Sequence, residues 1–105
     1  MCMRECSSAP VYEKCIKDIR NLLSEASLYE QLAEECAELA QACHKKARKL
    51  RGENYTPKSM EEIDDSLIEE YTDVTLAAST CGIIIDWDLK NEKAKRWIER
   101  VSNNV

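Results

Sequence analysis

The chain has 105 residues, a formal net charge of −5 and a pI near 4.9; 33% of its residues are charged, with two Gly, two Pro and no Phe. That length suits one domain, or one subunit whose core a partner completes, and the scarcity of turn formers points to an all-α protein. The acidic balance argues against a nucleic-acid polymer or an anionic membrane surface as partner, because both repel a negative protein.

No stretch approaches the ~20 apolar residues of a membrane span and no signal-like segment opens the chain, so a cytoplasmic location is expected. The six cysteines, Cys2, Cys6, Cys15, Cys36, Cys43 and Cys81, include no Cys-x-x-Cys, and His44 is the single histidine. Zinc and iron–sulfur sites use tighter ligand pairs, so neither is expected. Cys15, Cys36, Cys43 and Cys81 fall on apolar stripes and read as small, reduced core residues, and the charged, helical composition argues against a disulfide framework.

Residues 1–9 show no period and are expected to form a flexible tail. From Pro10, suited to a helix start, Val11, Tyr12, Cys15, Ile16, Ile19, Leu22 and Leu23 recur at helical spacing. Ser27 is a candidate N-cap, with Glu30 as its capping-box partner, for a second helix over about 28–50. Its stripe is Leu28, Leu32, Cys36, Leu39, Cys43, Ala47 and Leu50. Its basic last turns (His44, Lys45, Lys46, Arg48, Lys49, Arg51) complement the helix dipole, a reading preferred to phosphate binding. Gly52 ends it. Ser59 or Thr56, followed by Glu61 and Glu62, opens a third helix striped by Ile63, Leu67, Tyr71, Val74, Ala78, Cys81 and Ile85. The all-round apolar run Ile83-Ile84-Ile85 predicts cover by another chain or by the first helix. Asp86 or Asp88 caps a fourth helix with Trp87, Ala94, Trp97, Ile98 and Val101 on one side. No β-alternation of useful length occurs.

Two acidic stretches stand out: Glu34-Glu35-Cys36-Ala37-Glu38 and Glu69-Glu70-Tyr71-Thr72-Asp73. At about 100° per residue, Glu35 and Glu70 each fall roughly 60–70° to the same-handed side of their helix's stripe, with Glu38 and Asp73 about 60° further. Same-handed flanks meet only if the helices run antiparallel, the arrangement expected of a hairpin with a loop this short. Glu38 is twelve residues before Leu50 and Asp73 eleven after Glu62, so the pairs lie at matching levels. Four carboxylates are thus expected to converge. Like charges ~4 Å apart repel by several times the thermal energy even at an effective dielectric of about 20. Such a cluster needs protons or a cation. Hard oxygen donors without His or Cys favour Mg²⁺, with Mn²⁺ as a substitute, and His44 lies in the wrong register for a di-iron site. Each motif alone reads as an ordinary solvated face; the matched offsets and levels favour a metal site.

Glu34-Glu35-x-x-Glu38 followed by Glu70-x-x-Asp73 resembles the signature of the MazG-like, all-α nucleoside triphosphate pyrophosphohydrolases. Asn91-Glu92-Lys93 with Arg96 is similar to the region of their last helix where Asn-Glu-Lys is followed by an Arg, here with two residues between Lys93 and Arg96 rather than three, and the likeness covers about residues 28–100. The resemblance implies a four-helix bundle with antiparallel central helices that forms a homodimer or homotetramer, and a nucleotide substrate cut at its α–β phosphate link. It implies Glu35, Glu38, Glu70 and Asp73 as Mg²⁺ ligands and Glu34 as an accessory carboxylate that orients or activates water. Asn91, Lys93 and Arg96 become candidates for phosphate contact. A house-cleaning role on canonical or damaged nucleotides is the expectation. The related phosphoribosyl-ATP pyrophosphohydrolases share the acidic logic, and Tyr55, Tyr71 and Trp87 are open as base-contacting groups. Two rival readings stand beside it: a non-catalytic helical interaction module on the same fold, and a cation-binding helical protein without nucleotide chemistry.

Overall fold

A computed structural model describes the backbone of residues 2–53 and 57–104, and the side chains of residues 11–53 and 57–104. It is all-α: α1 (Cys2–Leu22), α2 (Glu25–Arg51), α3 (Met60–Thr80) and α4 (Trp87–Asn103), with no strand among the described residues. None of these helices is long and apolar enough to cross a membrane.

Local chemistry sets the boundaries. Ser24, not Ser27, caps α2: its side chain accepts from the Ser27 N–H at 3.1 Å, so the helix begins three residues before the expected Leu28. Ser27 is the donor in that cap rather than the cap itself. Gly52 closes α2 at φ 72°, a left-handed conformation that glycine adopts without a Cβ clash. Ser59 opens α3 through a full capping box, accepting from the Glu62 N–H at 3.2 Å while Glu62 accepts from the Ser59 N–H at 2.9 Å. The alternative cap, Thr56, lies outside the described residues, as does Tyr55. Asp86, accepting from the Leu89 N–H at 3.0 Å, starts α4.

One boundary differs more widely. The first helix starts at Cys2 rather than at Pro10, so residues 2–9 are helical where a tail is expected. Met, Arg, Glu and Ala in that stretch are good helix formers, and the helix runs through Pro10 although an interior proline removes a backbone hydrogen bond and crowds the carbonyl four residues back.

α2 and α3 form the centre and run antiparallel: Lys46 pairs with Asp64, Glu38 lies beside Glu70, and Leu28 shares a cleft with Ala77 and Thr80. α1 follows α3, with Val11 and Tyr12 beside Thr72 and Thr75 and Leu23 near Ala77. Among the described residues the buried set is small: Leu28, Ile63 and Ala77, plus Thr80, whose hydroxyl donates to the Ala77 carbonyl at 2.7 Å. Cys15, Cys36 and Cys43 are exposed free thiols and Cys81 is half-buried, so the expected cysteine core is not found within one chain. α2 turns only one edge of its stripe toward α3, which leaves Cys36, Cys43 and Leu50 outside. Ile83, Ile84 and Ile85 are exposed within the single chain, so the first helix does not cover them. α4 has no buried residue.

Candidate metal centre

The centre is built from residues spaced three and four apart on facing helices. Glu35 and Glu38 sit on one flank of α2 because three residues nearly complete a turn, and Glu70 meets them from α3 through the antiparallel pairing. One carboxylate oxygen from each of Glu35, Glu38 and Glu70 lies within 4.8 Å of the others. Glu35 and Glu70 are half-buried and Glu38 is exposed. Gln31, one turn before Glu35, donates from Nε2 to its Oε1 at 2.8 Å and so fixes the carboxylate.

The remaining oxygens are informative. Among the described residues, Glu35 Oε2 and Glu70 Oε2 are shut off from solvent and find no hydrogen-bond partner. A buried carboxylate oxygen without a donor calls for a proton or a cation. Loss of surrounding water, a hydrogen bond shared with Glu38, and the charges of Glu38, Asp73 and Glu35 together hold Glu70 above the usual carboxylate range.

Three of the four expected ligands therefore converge. Asp73, one turn beyond Glu70, stays outside the close cluster; it lines a neighbouring apolar hollow with Glu35, and its charge acts on Glu70. Glu34 is exposed, about 100° round the helix from Glu35, and is not part of the cluster. Asn91, Lys93 and Arg96 are exposed on α4, where Lys93 and Arg96 border a shallow groove with Lys90, Trp97 and Arg100. Tyr71 and Trp87 are exposed, at 59% and 62%, and Lys90 lies 4.9 Å from the Trp87 ring centre.

Sequence reasoning missed the surroundings of the cluster. An open cleft of about 410 Å³ leads from Glu38 and Glu70 toward the α2–α3 loop, lined by Gln41, Ala42, Lys45, Lys58, Ile63 and Ser66. Its signal is present in the spacing. Lys45 follows Glu38 by seven residues and Ser66 precedes Glu70 by four, both same-face intervals. The Gln31–Glu35 bond is likewise an i, i+4 pair.

Among the described residues no histidine or cysteine joins the three carboxylates, so their donor set is all oxygen. Set against protein-family models, curated proteins and solved structures, the chain matches none of them.

Proposed function

We propose that the chain is a Mg²⁺-dependent nucleotide pyrophosphohydrolase of the MazG-like kind, cutting a nucleoside triphosphate into monophosphate and pyrophosphate. The observation that carries this reading is the three-carboxylate cluster with two buried, unpartnered oxygens. A hard, oxygen-only donor set suits Mg²⁺ or Mn²⁺. Glu35, Glu38 and Glu70 would hold the ion, with Asp73 as the fourth acid. When bound, such an ion supplies neutralisation of phosphate charge and acidification of water.

The residues of the chain would do the rest. Gln31 keeps Glu35 oriented. Glu34, exposed on α2 next to Glu35 in sequence, would accept the proton of the attacking water as its oxygen bonds to the α-phosphorus. The α–β bridging P–O bond breaks, and its electron pair leaves with pyrophosphate. Asn91, Lys93 and Arg96 are candidates for phosphate contact from a neighbouring copy, since α4 has no buried residue in its own chain. The exposed side chains of Trp87, Trp97, Ile98 and Val101 favour a homodimer or homotetramer. The same surface also favours the second reading, a non-catalytic interaction module.

The two readings separate on a panel of nucleoside triphosphates incubated with Mg²⁺, scoring pyrophosphate against orthophosphate. Pyrophosphate release is expected, falling by roughly a hundredfold or more in Glu38→Gln and Glu70→Gln with helix content unchanged. Orthophosphate release, or no turnover across the panel, would remove the first reading.

A further inference from the structure

The cleft beside the carboxylates combines opposite charges in one trough. At its inner end are Glu38 and Glu70; at its outer end, by the α2–α3 loop, are Lys45 and Lys58, with Gln41 and Ser66 between and Ala42 and Ile63 as apolar lining. Glu38 and Lys45 are two turns apart on one face of α2, so the trough extends about 10 Å along the helix. Lys45 makes no ion pair among the described residues, whereas its neighbour Lys46 is tied to Asp64. Lys58 acts electrostatically on Glu62 while also lining the trough. Had Lys45 served only to complement the helix dipole, nothing would require it to face the carboxylates.

On the opposite side of the cluster the character changes. A hollow of about 240 Å³ is lined by Ile19, Leu23, Leu28, Leu76 and Ala77, with Gln31 and Thr80 supplying polar atoms and Glu35 and Asp73 adjoining the cluster. The carboxylates thus stand between a cationic trough and a mostly apolar hollow. An anionic tail with an apolar head fits that polarity in one direction only.

We propose, resting on the pyrophosphohydrolase reading, that Lys45 and Lys58 bind the β- and γ-phosphates, which places the leaving pyrophosphate at the loop end and the nucleoside toward α1. A lysine is a mobile point charge suited to phosphate oxygens, and charge placed where the leaving group gains charge favours bond breaking. Ser66 and Gln41 add neutral hydrogen-bonding groups along the tail. The hairpin then carries a phosphate clamp of its own.

Calorimetric titration of inorganic pyrophosphate with Mg²⁺ present tests this without needing turnover. Wild-type protein is expected to bind it, and Lys45→Ala and Lys58→Ala each to weaken binding about tenfold or more, as for loss of a charged hydrogen bond. Lys45→Arg should restore most of the loss. A nucleoside monophosphate should bind the Lys45→Ala and Lys58→Ala variants unchanged. Absence of pyrophosphate binding to wild type, wild-type binding by both lysine variants, or an equal loss of monophosphate binding would overturn the assignment. Binding that obeys this pattern without release of pyrophosphate from any nucleotide would uphold the clamp while removing the enzymatic reading.

Discussion

Glu70 is held in protonated form beyond its ordinary value of 4.5 by lost solvation, by its hydrogen bond with Glu38 and by three neighbouring carboxylates. The folded chain therefore keeps this proton to higher pH than the unfolded chain does. Its contribution to stability is full in acid, below the ordinary value, and is lost as pH rises through the raised one. Glu70→Gln should flatten that part of the pH profile and raise the melting temperature of metal-free protein at neutral pH. Mg²⁺ should then stabilise wild type strongly and Glu70→Gln far less. Melting curves from pH 4 to 8, with and without Mg²⁺, read both effects; a variant no more stable than wild type at neutral pH without the ion would contradict them. The convergence of Glu35, Glu38 and Glu70 was legible from helical offsets, because wheel angles depend only on spacing. The position of Asp73 was not, since side-chain direction across a helix pair depends on packing that spacing does not encode. Lys58 was invisible for a related reason: it lies in the loop, where no period applies.

At the scale of the helices, caps and breakers made the boundaries readable. Gly52, Ser59 with Glu62, and Asp86 each act through a local hydrogen bond or a φ value that the sequence dictates. Ser59→Ala should cost about 1 kcal/mol by removing the acceptor for the Glu62 N–H, measured by denaturant unfolding. Ser59→Ala keeps the backbone N–H that is first in holding the Glu62 carboxyl below the usual range, but removes the Ser59 hydroxyl, whose hydrogen bond lowers it further. That hydrogen bond stabilises the fold above the ordinary carboxylate value and weakens as pH falls through the lowered one. The Ser59→Ala difference should therefore shrink in acid; an undiminished difference there would contradict the coupling. The start of α1 was not legible because Pro10 reads as a first-turn residue, whereas helix-forming neighbours carry the helix back to Cys2. Apolar stripes identified the helices but not which part of each stripe faces α3: Leu28 and Ile63 are buried, whereas Cys36 and Tyr71 are not.

Across the whole molecule, surface is in excess. A compact monomer of 12.0 kDa exposes about 6,000 Å², yet the chain exposes 8763 Å². Its radius of gyration is 17.6 Å, against about 13 Å for a compact domain of this length. Ile84 is 87% exposed and Trp97 66%. A mass above that of one chain is the expected result of sedimentation, and a clean monomer would contradict the reading that another copy covers α4. These surfaces surround the one feature on which the proposed chemistry depends, the carboxylate cluster between α2 and α3. Its most direct test is calorimetric titration of Mg²⁺ into metal-free protein at neutral pH. Saturable binding is expected in wild type and its loss in Glu35→Gln, Glu38→Gln and Glu70→Gln, with helix content retained. No Mg²⁺ or Mn²⁺ binding by wild type, or undiminished binding in the three variants, would contradict a metal centre there.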